Sequence, residues 1–169
     1  MRRMVSILAI GSTIPDKAPI INAFPFFTPS ECRGIDSIAP SGKFCIAIPM
    51  AKAFGARVIT SVLSDEIAEK IVSLGADVVI ISTKQDVSEF LKQEELNGTP
   101  VNMSMDCLSG ETLGKSLPYM AEGGYWVVIS TLAGTETNIM LRPLLTKGLH
   151  LVGSMLRKRT SEEKALLLA

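Results

Sequence analysis

Ser41-Gly42-Lys43 is the segment whose residue types and spacing could hold a phosphate. Small residues let backbone N–H groups approach an anion, a following helix turns its positive end towards it, and a lysine adds a full charge. The neighbours restrict that chemistry. Ala39 and Phe44 stand where further glycines would open the loop, and Pro49 lies in the helix that should follow. A helix starting near Gly42 carries Pro49 beyond its first turn, at a cost of about 3 kcal/mol. A helix starting at Ile48 tolerates Pro49 at its first position but withdraws its positive end from the phosphate. The segment does not fit a nucleoside-triphosphate P-loop, because Ser37 replaces the earlier glycine and Phe44 the magnesium-binding Ser or Thr.

Other candidates sit where strands should end. Ser64 closes one β-branched run, and Ser130 and Thr131 follow the apolar run Tyr125 to Ile129. Ligands of open α/β sheets bind at carboxyl ends of strands; the other reading of Ser130 and Thr131 is a plain polar turn. Asp106 and Cys107 also fall at a strand end, but Cys107 has no nearby histidine and reads as a buried, inert thiol. His150 lies inside the apolar run Leu149 to Val152 and reads as packed or hydrogen-bonded. Tyr125 and Trp126 read as core aromatics. Lys70 and Lys84 read as solvated surface residues. One histidine and three scattered cysteines give no metal-ligand spacing, so no metal is expected. No catalytic side chain can be named from the sequence.

The elements that must position these residues alternate in type. Val5 to Ile10 predicts a buried strand ending at Gly11. Residues 12–41 hold five of the nine prolines and little periodicity. Ile46 to Phe54 is apolar on nearly all sides, as a helix packed on a sheet would be, and Gly55 stops it. Arg57 to Val62 predicts a strand. Ser64 then caps a helix with Asp65 and Glu66 in its first turn and Ile67, Ile71 and Leu74 on one face. Val78 to Ile81 predicts a strand, Val87 to Leu96 a helix, Val101 to Cys107 a strand, and Glu111 to Met120 a helix ended by Gly123-Gly124. Tyr125 to Ser130 and Leu149 to Val152 complete the strands. The charged run from Arg157 to Lys164 predicts a solvated helix start. Alternating strand and helix imply an α/β fold, a Rossmann-like parallel sheet covered on both faces by helices.

Composition narrows the class. A chain of 169 residues with 47% hydrophobic residues makes one ordered domain. Seventeen basic and seventeen acidic residues cancel, which argues against nucleic-acid and membrane-surface partners. The apolar run after Arg2-Arg3 is too short to span a membrane and marginal as a signal peptide, so a reducing, cytoplasmic location is expected.

The motifs A-K-A-F-G-A-R-V-I from Ala51, L-G-A-D-V-V-I from Leu74, D-x-x-S-G from Asp106, G-G-Y-W-V-V-I from Gly123 and G-S-M-L-R from Gly153 form an ordered series. That series, over about residues 41–169, resembles the quinone oxidoreductases of the zinc-free branch of the medium-chain dehydrogenase/reductase superfamily. The resemblance implies NADPH as cofactor and hydride transfer to a quinone or enone, with a non-catalytic, dimerising scaffold and an enoyl reductase as alternatives. It implies cofactor contacts from Ser41, Gly42, Lys43, Ser64, Ser130 and Thr131, and a homodimer paired through the strand at Leu149 to Val152. The family's lysine and tyrosine for the 2′-phosphate correspond to Ile67 and Ser82. Its separate GroES-like domain is not recognisable in residues 1–38, which leaves 39–169 as a cofactor-binding domain that the resemblance implies is incomplete, truncated at its C-terminus.

Overall fold

The computed structural model describes residues 6–10, 43–155 and 158–166. Strand β1 (Ser6–Ile10) is followed by helix α1 (Lys43–Ala53), β2 (Arg57–Val62), α2 (Asp65–Ser73), β3 (Val78–Ile81), α3 (Val87–Leu96), β4 (Val101–Asp106), α4 (Gly110–Ser116), β5 (Met120–Val128), α5 (Leu141–Thr146), β6 (His150–Gly153) and α6 (Ser161–Leu166). The strands form one six-stranded sheet in the order β3-β2-β1-β4-β5-β6. This is the strand order of a dinucleotide-binding Rossmann sheet.

One strand departs from the parallel arrangement. Pairings β2–β3, β4–β5 and β5–β6 are parallel, but β1 lies antiparallel to both β2 and β4. Ser6 pairs with Ser61 and Ile10 with Arg57, so β1 enters the sheet at the carboxyl edge of its neighbours and leaves at their amino edge. A β–turn–α unit cannot therefore run from the end of β1 into α1.

Each face carries its own core. Ile48 of α1 and Ile67 and Ile71 of α2 pack with Val58 and Val62 of β2 on one face. Leu91 of α3 and Leu113 of α4 pack with Ile59, Ile80, Val101 and Trp126 on the other. Right-handed crossovers between parallel strands place α2 on one face and α3 and α4 on the other, because β2-to-β3 growth and β3-to-β6 growth proceed in opposite directions across the sheet.

Several boundaries differ from the sequence expectation. Helix α1 starts at Lys43 and runs continuously through Pro49, so the helix does not restart at Ile48. Its last turn closes at Gly55, whose φ of 75° costs glycine nothing. The helix expected over Glu111 to Met120 ends at Ser116. Pro118 then heads a single 3₁₀ turn, Leu117–Tyr119, and β5 starts already at Met120. Gly123-Gly124 is not a helix stop but an irregularity in β5, where the register shifts between the Val101–Met120 and Met103–Tyr125 pairs. A Cβ on Gly124 would meet the Ala121 carbonyl at 2.8 Å, and the Gly123 N–H donates to the Lys147 carbonyl at 2.7 Å. The Lys147 ammonium binds the Pro118 and Met120 carbonyls and the Glu95 carboxylate, tying this bend to α3.

Candidate functional site at the carboxyl edge of the sheet

The carboxyl ends of β2, β3, β4 and β5 and the start of α1 define one edge. Helix α1 turns through Phe54–Ala56 into β2, so its N-terminus lies at the carboxyl end of β2 and carries the positive end of the helix dipole there. Lys43 is the first residue of α1, and no acidic residue occupies its first turn. Ser41 and Gly42 lie outside the described residues. Pro49 deprives α1 of one internal hydrogen bond but does not shorten it.

The β2–β3 side of this edge uses its polar side chains on itself. Ser64 has extended backbone at the N-cap of α2, but its hydroxyl makes no capping bond, contrary to the expected side-chain cap. Its carbonyl accepts from the Ala68 N–H at 3.1 Å. Ile67 is 2% exposed and packs in the core, so it has no ligand role. Ser82 donates its hydroxyl to the Val62 carbonyl at 3.0 Å. Lys84 grips both oxygens of Asp65 at 2.7 and 2.8 Å, and this ammonium holds the Asp65 carboxyl below its ordinary pKa. Lys84 is thus a paired surface lysine rather than merely a solvated one.

The β4–β5 side is organised around Asp106, which is 2% exposed. Its carboxylate accepts from the Leu108 N–H at 2.8 Å, the Ser109 N–H at 3.0 Å and the Trp126 indole N–H at 2.9 Å. Trp126 is therefore a core aromatic with a polar duty. Ser109 is the one non-glycine residue with positive φ among those described, at φ 56° and ψ −140°. Its hydroxyl donates to the Ser130 carbonyl at 2.9 Å. The Leu132 and Ala133 N–H groups donate to the Cys107 and Leu108 carbonyls, extending the parallel pairing past the strand ends. Gly110 and Gly134 touch, and a Cβ on Gly110 would stand 3.2 Å from Gly134 Cα. Ser130 is half-buried and Thr131 exposed on this clamp. Cys107 is 3% exposed, as a packed thiol should be.

The sequence reading found the D-x-x-S-G turn but not the strain at Ser109. The signal was a serine directly before Gly110, where a backbone of this kind normally takes glycine. Two aromatic expectations also change. Tyr125 is 40% exposed rather than core, and it stacks on His150 of edge strand β6 with ring centroids 4.2 Å apart. His150 is exposed there rather than packed inside.

Along this edge the α1 terminus carries the positive end of its helix dipole, the β4–β5 side is built largely of backbone groups, and the β2–β3 side of side chains already bonded to one another. Among the described residues, no three His, Cys, Asp or Glu side chains gather as a metal site. No helix among them is long and apolar enough to cross a membrane.

Comparison with known proteins places this geometry. The zinc-binding dehydrogenase family profile matches residues 45–169. A mitochondrial enoyl-[acyl-carrier-protein] reductase of Schizosaccharomyces pombe is 27% identical over 122 residues, covering 68% of this chain and 33% of the relative. A solved mycobacterial protein, Rv1454c complexed with NADPH, superposes with a TM-score of 0.60 at 26% identity, over 73% of this chain and 38% of that one. A 2-haloacrylate reductase superposes with a TM-score of 0.59 at 26% identity, over 71% and 39%. The chain thus spans between about a third and two fifths of these relatives. It carries a Rossmann-like portion of a longer architecture, and it belongs to the zinc-binding dehydrogenase family of the medium-chain dehydrogenase/reductase superfamily.

Proposed function

We propose that this chain is the cofactor-domain portion, residues 39–169 with β1 added, of an NAD(P)H-dependent oxidoreductase of quinone-reductase type. The reduced nicotinamide supplies hydride when bound, and the acceptor is a quinone or enone. One observation carries the reading: the α1 N-terminus and the clamped β4–β5 ends lie on the same carboxyl edge of a Rossmann-ordered sheet. In this reading Ser41, Gly42 and Lys43 face the pyrophosphate, Ser64 the adenosine ribose, and Ser130 and Thr131 the nicotinamide. The relatives' names, an enoyl-thioester reductase and a haloacrylate reductase, favour a conjugated double bond as acceptor and keep enoyl reduction as the nearest alternative. Titration with NADPH, followed by cofactor fluorescence or calorimetry, tests the reading. Saturable binding is expected, and no binding at millimolar cofactor would overturn it.

A second reading, a non-catalytic dimerising scaffold, is favoured by antiparallel β1 and buried Ile67. Both remove features on which dinucleotide binding relies. Edge strand β6 supports dimerisation in either reading, since Leu151 and Val152 are each 40% exposed on a strand with one side unpaired among the described residues. The scaffold reading expects a dimer in sedimentation that is indifferent to NADPH. Gain of binding in the double variant Phe44→Gly with Pro49→Ala would mark loss of an earlier site. A reducing, cytoplasmic setting is proposed for both.

A further inference from the structure

Ser109 occupies a backbone conformation that glycine would take without strain, yet it is a serine. The turn does not need its side chain to close. Asp106 already takes the Leu108 and Ser109 N–H groups, and two backbone bonds already hold the 130–134 segment against the turn. What the side chain adds is one bond, from its hydroxyl to the Ser130 carbonyl at 2.9 Å. That bond fixes the plane of the Ser130–Thr131 peptide. In a planar trans peptide the C=O and N–H point in opposite directions. Holding the carbonyl towards Ser109 therefore turns the Thr131 N–H away from β4, and no acceptor among the described residues takes it.

We infer that Ser109 is a positioning residue, which holds the Ser130 carbonyl so that the Thr131 N–H is presented as a hydrogen-bond donor to the carboxamide carbonyl of a nicotinamide ring. The inference rests on the cofactor reading above and deepens it. Ser109 itself touches no ligand. Its strained backbone is retained because the side chain that glycine lacks sets the donor's direction.

Two variants of the full chain, Ser109→Gly and Ser109→Ala, test this with three measurements: melting temperature, hydrogen exchange at residues 130–133, and titrations with NADPH and with 2′-phospho-ADP-ribose, which lacks the nicotinamide. Ser109→Gly removes strain and hydroxyl together. Its melting temperature should hold or rise while exchange at Thr131 speeds up several-fold. Its NADPH affinity should fall roughly 3- to 10-fold, the value of about one hydrogen bond, with phospho-ADP-ribose affinity unchanged. Ser109→Ala should lose NADPH affinity equally and be less stable, because it keeps the strain. Unchanged exchange and NADPH affinity in Ser109→Gly would overturn the inference, as would equal losses for both ligands. If the unmodified chain binds neither ligand, the cofactor reading falls, and with it the donor role. Exchange at Thr131 then still decides whether Ser109 fixes the peptide.

Discussion

On the β4–β5 side, the carboxyl edge is held by main-chain bonds between residues 129–133 and 106–108, with the Asp106 carboxylate and Ser109 hydroxyl completing the clamp. On the β2–β3 side, Ser82 and Lys84 are bound to Val62 and Asp65, and Ile67 is buried. The two sides of one edge thus preserve different things. A backbone-built surface survives substitution of many side chains, because any residue supplies the same N–H and C=O. A subsite that rests on one side chain is lost when that side chain is replaced by an apolar one. The half of a cofactor site that depends on fold should therefore outlast the half that depends on residue identity.

The strongest way to break this comparison is to spoil the clamped side. A Cβ on Gly114 would stand 2.2 Å from the Asn138 carbonyl and 2.4 Å from Thr137 Oγ1. Gly114→Ala should destabilise the domain by about 3 kcal/mol, since a backbone carbonyl yields poorly to overpacking. Denaturant unfolding measures it, and a near-neutral effect would show that the 137–138 segment is loosely held.

Relief of the opposite region comes next. Pro49→Ala should stabilise the chain by about 2 kcal/mol, somewhat less than the full cost of an interior proline. Thermal melting checks the gain, and a loss would mean that the helix bends usefully at Pro49.

The acid limb of stability should be smaller in effect. The Lys52 ammonium first, and then the Val58 N–H, hold Asp77 below its ordinary pKa; Ser88 first, and then backbone N–H groups, do so for Asp86. Both carboxylates bind protons less readily when folded, so their contribution is complete above the unfolded value of 3.8 and is lost as pH falls below it. Asp77→Asn should flatten that acid limb and change stability at pH 2 less than at pH 7, as unfolding curves at the two pH values would reveal.

The smallest expected effect sharpens the comparison directly. Asp65→Asn releases Lys84, and the affinity ratio of NADPH to NADH should then rise roughly threefold at low salt, as expected for one exposed cation near a phosphate. An unchanged ratio would place Lys84 outside the 2′-phosphate's reach.

Much of this architecture was legible in residue order. Gly55 and Gly75 mark helix ends, the β-branched runs at Arg57 and Val78 mark strands, and Ile67 with Ile71 mark a buried helix face. The direction of β1 was not legible. A serine and four apolar residues read the same whether their partners run up or down, and side-chain alternation does not encode polarity. The end of α4 was missed because the glycines at 123 and 124 outweighed Pro118 as a stop signal. The Asp106–Trp126 bond is hidden in residue order because the two residues are twenty positions apart and lie diagonally on paired strands, with Trp126 opposite Ser104 and Asp106 opposite Val128.

Strand β1 also sets a schedule. Its partners are Arg57–Ser61 on one side and Met103–Met105 on the other, so β1 is bonded to segments translated long after it. Such long sequence separations slow folding, because the chain must close large loops before any contact rewards it. The β2–α2–β3 and β4–α4–β5 units on either flank can form locally, but the sheet becomes continuous only when residues 6–10 lie between β2 and β4. Until β4 joins, the inner edge of β2, or of a β1 already paired to it, stays open, and a ribosome-bound intermediate lacking β4 should be the species most prone to pair with its neighbours.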